Sequence, residues 1–130
     1  MNLQHRIDLL VRLGEYISAS DKAWKEAKER AGLENGWFIP EFVELATQNI
    51  ARAYLKKDIL EKWVANYNPG KKKKKTRNDK PLSVGIVMAG NIPLVGFHDW
   101  LCVFIAGHRA LIKPSSKDQV LIKHLIEKIG

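Results

Sequence analysis

From Pro81 to Phe97 the chain runs seventeen residues without a charge, and the five glycines and prolines inside that run decide what it can be. A membrane-spanning helix needs about 20 predominantly apolar residues. Pro81, Gly85, Gly90, Pro93 and Gly96 break this run too often for one. The same residues suit a strand, a tight connection and a helix. Ser83 to Ala89, SVGIVMA, is a short apolar stretch with no helical period, as in a strand of a parallel sheet buried on both faces. Gly90-Asn91-Ile92-Pro93 forms the connection. Leu94 to Ala106 has the length of a helix, with Pro93 at its start and Gly107 at its end. Arg109 to Lys113, RALIK, reads as a second strand. Ser116 with Gln119 makes a capping box for a last helix, with Val120, Ile122 or His124, Leu125 and Ile129 inside. The order strand, helix, strand, helix is one crossover unit with an extra helix.

Residues 1–67 carry a different period. Leu3, Ile7, Leu10, Gly14 and Ile17 recur at helical spacing. Ser20 is placed to cap a second helix over about 21–31, with Trp24, Ala27 and Ala31 inward and Gly32 at its end. Asn35-Gly36 signals a turn. Pro40 suits the first turn of a third helix, whose apolar face is read as Phe42, Leu45, Ala46, Ile50, Ala53 and Tyr54. Asp58 is placed to cap a fourth helix carrying Ile59, Leu60, Trp63, Val64 and Tyr67, and Asn68-Pro69-Gly70 stops it.

Between the two parts lies the charge. The formal net charge is +8, but residues 71–80, KKKKKTRNDK, supply +6 of it and the other 120 residues only +2. The basicity belongs to one tract, and like-charge blocks of that length are usually solvated linkers. No aromatic residue is interleaved to stack on bases, so a nucleic-acid partner is not expected. The domain organisation read from this is a helical segment over 1–67, a flexible linker over 68–80 and an α/β segment over 81–130. The first twenty residues mix charged and apolar positions and offer no secretory signal. The single cysteine, Cys102, excludes an intramolecular disulfide framework and fits a reducing, cytoplasmic setting.

Candidate chemistry gathers at the strand ends. Gly85 to Ile92 imitates the start of a phosphate loop, then places Asn91-Ile92 where that motif needs Lys-Ser/Thr. Ligands of open parallel sheets bind at the carboxyl ends of strands, where Asn91 has an amide able to support an oxyanion. Spacing alone favours a plain turn residue. Lys113, before Pro114-Ser115-Ser116, is placed for a phosphate or ribose hydroxyl, and equally reads as an exposed charge beside a helix cap. His98 and Cys102 share a helix face as half of a metal site, yet no second pair follows at ligand spacing, so no metal is expected. Cys102 lies among Leu101, Val103, Phe104 and Ile105, the setting of an inert buried thiol.

The stretch VGIVMAGNIPLVGFHDWLCVFIAGHRALIKPSSKDQ resembles the opening of the cofactor-binding domain of aldehyde dehydrogenases. Its GNIPL turn and AGHRALIKPSS strand, with LGEYI and NGWFIPEFV upstream, are most similar to LuxC-type acyl-CoA reductases. The resemblance implies a Rossmann-like parallel sheet and an NADPH-dependent oxidoreductase that converts an acyl-CoA thioester to a fatty aldehyde. It implies that Asn91 assists the oxyanion and that Met88, Ala89 and Gly90 border the nicotinamide. Lys113 then contacts the adenosine ribose, while Ser115, Ser116 and Lys117 tolerate a 2′-phosphate that a carboxylate would repel. In that family the nucleophilic cysteine lies well downstream and does not match Cys102, so the resemblance implies an amino-terminal fragment, inactive alone. A second reading is a non-catalytic module that pairs strands with another chain and meets acidic partners through Lys71–Lys75. Two strands cannot cover their own edges, so a homo-oligomer is expected, with Trp63 and Phe42 as lids over one face.

Overall fold

The structure is a computed structural model that describes residues 2–67 and 80–130. Of the expected linker over 68–80, residues 68–79, and with them most of the lysine tract, lie outside the described residues. The fold is mixed α/β and mostly helical: α1 (Leu3–Ser18), α2 (Lys22–Glu34), α3 (Pro40–Tyr54), α4 (Lys57–Tyr67), β1 (Ser83–Val87), α5 (Phe97–Ile105), β2 (Arg109–Lys113) and α6 (Val120–Ile129). β1 and β2 form a two-stranded parallel sheet in which Ser83 pairs with Arg109 and Val87 with Lys113. No described helix is long and apolar enough to cross a membrane.

α1 buries Ile7, Leu10, Leu13, Gly14 and Ile17, and the Asn2 side chain accepts the His5 N–H at 2.8 Å to close its first turn. α2 buries Trp24, Ala27 and Ala31, as its spacing predicts. Its cap is Asp21 rather than Ser20, because the Asp21 carboxylate accepts the Trp24 N–H at 3.1 Å. The helix also runs through Gly32 to Glu34 and stops at Asn35. There the Asn35 side chain holds the turn, accepting the Trp37 N–H at 3.0 Å.

α3 differs most from the sequence reading. Its buried face is Val43, Thr47, Ile50 and Ala51, while Phe42, Leu45 and Tyr54 are exposed and Ala53 lies outside the core. The face is rotated by about one residue because α3 packs against α1, α2 and α4, and they select which side is covered. Thr47 can be fully buried because its hydroxyl donates to the Glu44 carbonyl at 3.1 Å. α4 begins at Lys57, so Asp58 sits within its first turn and does not cap it. Leu60 is its buried anchor, with Trp63 and Val64 half-buried.

The helices of the first half share one core with the second. α6 packs on α1 and α2, and α5 on α1. Trp24, Leu10 and Ile17 join Phe97, Leu101, Leu121, Ile122 and Leu125 in a single apolar cluster. Side chains of this size each contribute about 1.5–3 kcal/mol when fully buried. Polar bonds reinforce the seam. Arg6 Nε donates to the Ile105 carbonyl at 3.2 Å, meeting an otherwise orphaned carbonyl at the end of α5. Tyr16 Oη lies 2.7 Å from His124 Nε2 and 3.3 Å from Asp21 Oδ1, with the Trp24 ring stacked on His124.

The sheet is covered on one side only. Val84, Ile86 and Met88 of the first strand and its extension, with Ala110 and Ile112 of the second, face inward. Val87 is 83% exposed and Leu111 63%. The expected burial on both faces is therefore not found, because α5 crosses one face and no described element covers the other. Phe42 is exposed and is no lid, and Trp63 packs on the His98 ring of α5. β1 ends at Val87, two residues short of the expected Ala89, although the Met88 N–H still bonds the Lys113 carbonyl at 3.0 Å. α5 begins at Phe97 rather than Leu94, since residues 91–96 are bent and turned. Gly107, at φ +84°, ends it in the left-handed region as the sequence predicts.

Candidate functional site at the strand ends

β1 and β2 run parallel, so their carboxyl ends open side by side. The loop after β1 carries Met88, Ala89, Gly90 and Asn91, and the loop after β2 carries Ser115, Ser116 and Lys117 behind Lys113. The two loops touch. A Cβ on Gly90 would fall on Ser115 Oγ and lie 2.7 Å from Ser115 Cβ, so a side chain here would have to displace Ser115. Met88 is buried, with its side chain against Gly96, where a Cβ would lie 2.5 Å from Met88 Cγ.

The polar groups named from sequence face outward. Asn91, Lys113, Ser116 and Lys117 are exposed, Ala89 is exposed, and Gly90 and Ser115 are half-buried. The second loop is internally braced. Ser115 Oγ accepts the Lys117 N–H at 3.2 Å, the Ser115 carbonyl accepts the Asp118 N–H at 3.0 Å, and Asn35 Nδ2 donates to the Lys117 carbonyl at 3.1 Å. Ser116 does not cap α6. The position before that helix is Gln119, which makes no side-chain capping bond, because Ser115–Asp118 close a turn of their own first.

Asp118 is the residue that sequence reasoning missed. Its side chain is buried between the two loops, and Oδ2 accepts the Leu94 N–H at 2.7 Å. Leu94 is buried with φ +58°, a backbone state that a leucine rarely adopts. The bond fixes that strained turn to the start of α6. Asp118 Oδ1 has no hydrogen-bond partner among the described residues. Burial raises the Asp118 pKa to about 6, and the Leu94 N–H bond opposes part of that rise. The sequence held no local signal for this role, because the Leu94 amide comes to Asp118 only in the folded loop.

Cys102 lies elsewhere, half-buried on α5 with its Sγ 3.8 Å from His98 Nδ1. Burial and then the Asp99 charge push its thiol pKa up, away from nucleophilic character. No cluster of three or more metal-ligating side chains occurs among the described residues. A cavity of about 470 Å³ opens between α2 and α3 over Trp24, Phe38 and Val43, rimmed by the Lys28–Glu44 ion pair at 2.8 Å. None of the candidate site residues read from the sequence lines it.

No protein-family model matches the chain, and no curated protein or solved structure is similar enough to count as a match.

Proposed function

We propose that the chain is the amino-terminal part of an NADPH-dependent acyl-CoA reductase, with its α/β segment the start of a Rossmann-like cofactor domain. The observation that carries this reading is the packing of Gly90 on Ser115. It sets the GNIPL turn beside the KPSSK turn at the carboxyl ends of two parallel strands, where ligands of such sheets bind.

The residues present fit a phosphorylated adenosine. Lys113, Ser116 and Lys117 are exposed and close in sequence, offering two cations and a hydroxyl. The Asp118 carboxylate is turned inward to the Leu94 amide, away from that surface. Bound NADPH supplies the hydride for the reduction of a thioester carbonyl to an aldehyde. The chain's own part is positional. Lys113 would meet the adenosine ribose, and Ser116 and Lys117 the 2′-phosphate. The Asn91 amide donates a hydrogen bond to the oxygen that gains negative charge at the reacting carbonyl. The acyl-carrying nucleophile is a cysteine other than Cys102, whose raised pKa and place on α5 suit a packing role. The alternative, a non-catalytic pairing module, draws on the uncovered sheet. Its contact through Lys71–Lys75 falls outside the described residues.

Nucleotide titration followed by NMR tests the proposal. NADP is expected to shift the amides of residues 88–91, 113 and 115–117 at lower concentration than NAD, and Lys113→Ala weakens the response. Equal responses, or none, overturn it. This chain alone is expected not to oxidise NADPH in the presence of fatty acyl-CoA. Consumption abolished by Cys102→Ala would show that Cys102 is the nucleophile after all.

A further inference from the structure

The loop after β1 holds a turn caught in the form its residues favour less. The Val95 N–H donates to the Ile92 carbonyl at 3.2 Å and closes the turn, with Pro93 and Leu94 at its centre. Leu94, at φ +58°, is the one non-glycine residue with a positive φ among those described. Proline in the first central position and a positive φ in the second make this a type II turn. Type II suits glycine or asparagine at that second position, and here it holds a buried leucine. A type I turn also accepts proline first and keeps the closing bond, and it gives the second residue a negative φ that suits leucine. The two forms differ by turning over the central peptide, Pro93–Leu94. Leucine favours type I, so something outside the turn holds type II.

Asp118 supplies the hold. Its Oδ2 accepts the N–H of that same central peptide at 2.7 Å. An ionised carboxylate makes a strong, charge-assisted bond there. In the other form the peptide would point its carbonyl where the N–H now stands, and a carbonyl facing a carboxylate is repelled. A protonated carboxyl differs, because it has an O–H to donate. Asp118 is placed to take that proton: its side chain is buried, Oδ1 has no partner among the described residues, and burial lifts its pKa to about 6 against the pull of the Leu94 bond. No ion pair among the described residues fixes it as an anion. Glu34 of α2 and Lys117 border it, both exposed, and Arg30, Lys123, His124 and Glu127 share a groove with Glu34. Residues 91–96 contain no ionisable group.

We propose that the Pro93–Leu94 peptide is a proton-controlled switch with Asp118 as its latch. The ionised carboxylate holds the peptide N–H inward and keeps Leu94 in the left-handed state. When Asp118 takes a proton from solvent, the peptide turns over, Leu94 relaxes to a negative φ, and the Asp118 O–H donates to the Pro93 carbonyl. Strain at Leu94 is the drive and the bond to the anion is the restraint, so protonation weakens the restraint and leaves the drive. The Ile92–Val95 bond exists in both forms, which confines the change to the turn. Asn91 leads directly into that turn. On the cofactor reading, on which this consequence alone rests, the proton on Asp118 regulates how Asn91 is presented to the reacting carbonyl. The switch itself needs no cofactor and its test contains none, so either can fail without the other.

NMR of the isotope-labelled chain reads the peptide directly. The Pro93 Hα lies close to the Leu94 amide proton in a type II turn and farther from it in type I, so the nuclear Overhauser effect between them reports the form. In the wild-type chain this effect is expected to be strong at about pH 7.5 and to fall at least about threefold by about pH 5, with a midpoint near 6. Asp118→Asn is expected to show no such pH dependence, although His124 still titrates in that variant. Asp118→Ala removes the acceptor and is expected to leave the effect weak at every pH. Leu94→Gly removes the strain and is expected to keep it strong throughout. A wild-type effect that stays strong at about pH 5 overturns the proposal, whether or not the variants fold. So does the same fall in Asp118→Asn, or a strong effect in Asp118→Ala at neutral pH.

Discussion

Asp118 makes the stability of this fold depend on pH in an unusual direction. Burial lifts its pKa to about 6 from an ordinary 3.8, to which it returns on unfolding. Between those values the folded chain keeps a proton that the unfolded chain has released. This group's contribution to stability therefore grows as pH falls through about 6 and is complete below about 4. A difference of about two pK units, at about 1.4 kcal/mol each, amounts to about 3 kcal/mol. Asp118→Asn keeps the shape and an oxygen for the Leu94 amide but exchanges no proton. Urea unfolding of both proteins from pH 7.5 to pH 4 isolates the effect by subtraction. The subtraction cancels Asp21 and Glu44. Their pKa values are lowered, chiefly by the Trp24 N–H and by Lys28 respectively, and they weaken the fold as they protonate. Relative to the variant, the wild-type chain is expected to gain about 3 kcal/mol on acidification. The Leu94 amide resonance is expected to titrate with a midpoint near 6. A difference curve flat to within about 0.5 kcal/mol would refute the buried, proton-binding carboxylate.

Three further outcomes are expected. Gly90→Ala drives a methyl into Ser115 and is expected to lose about 1–3 kcal/mol, part of it recovered by Ser115→Gly; denaturant midpoints of the single and double variants check this. Trp24→Ala removes a fully buried ring that donates to the Ile17 carbonyl at 3.1 Å and stacks on His124. Thermal unfolding should show a loss of about 3–5 kcal/mol. Cys102, with its pKa raised by burial and by Asp99, is expected to react with iodoacetamide more slowly than a free cysteine at neutral pH. Mass spectrometry of the labelled chain follows the rate.

The candidate site was legible in part. Asn91 and the Lys113–Lys117 segment could be placed at strand ends, because a glycine-bounded turn after an apolar run and a lysine before Pro-Ser-Ser are local signals. The contact of Gly90 with Ser115 was not, since nothing in either segment specifies the other. Asp118 stayed hidden for the same reason. Its partner is the amide of Leu94, 24 residues away, and only the folded loop presents that amide to it.

What the sequence determined alone are the features that a segment decides within itself. The buried faces of α1 and α2 follow from a single apolar stripe, and the end of α5 from Gly107 in a left-handed conformation. The alternation of strand and helix after residue 81 follows from where glycine and proline interrupt an uncharged run. Tertiary structure decided the choices that depend on a neighbour. α3 has apolar residues around most of its circumference, so its period names no unique inner face, and α1, α2 and α4 select Val43, Thr47, Ile50 and Ala51. β1 and β2 carry Val87 and Leu111 on the side opposite Ile86 and Ile112, but burial requires an element to lie on each side. α5 lies on one, and Val87 and Leu111 remain in water on the other. Hydrophobicity states what a side chain gains from being covered, and only packing determines whether anything covers it.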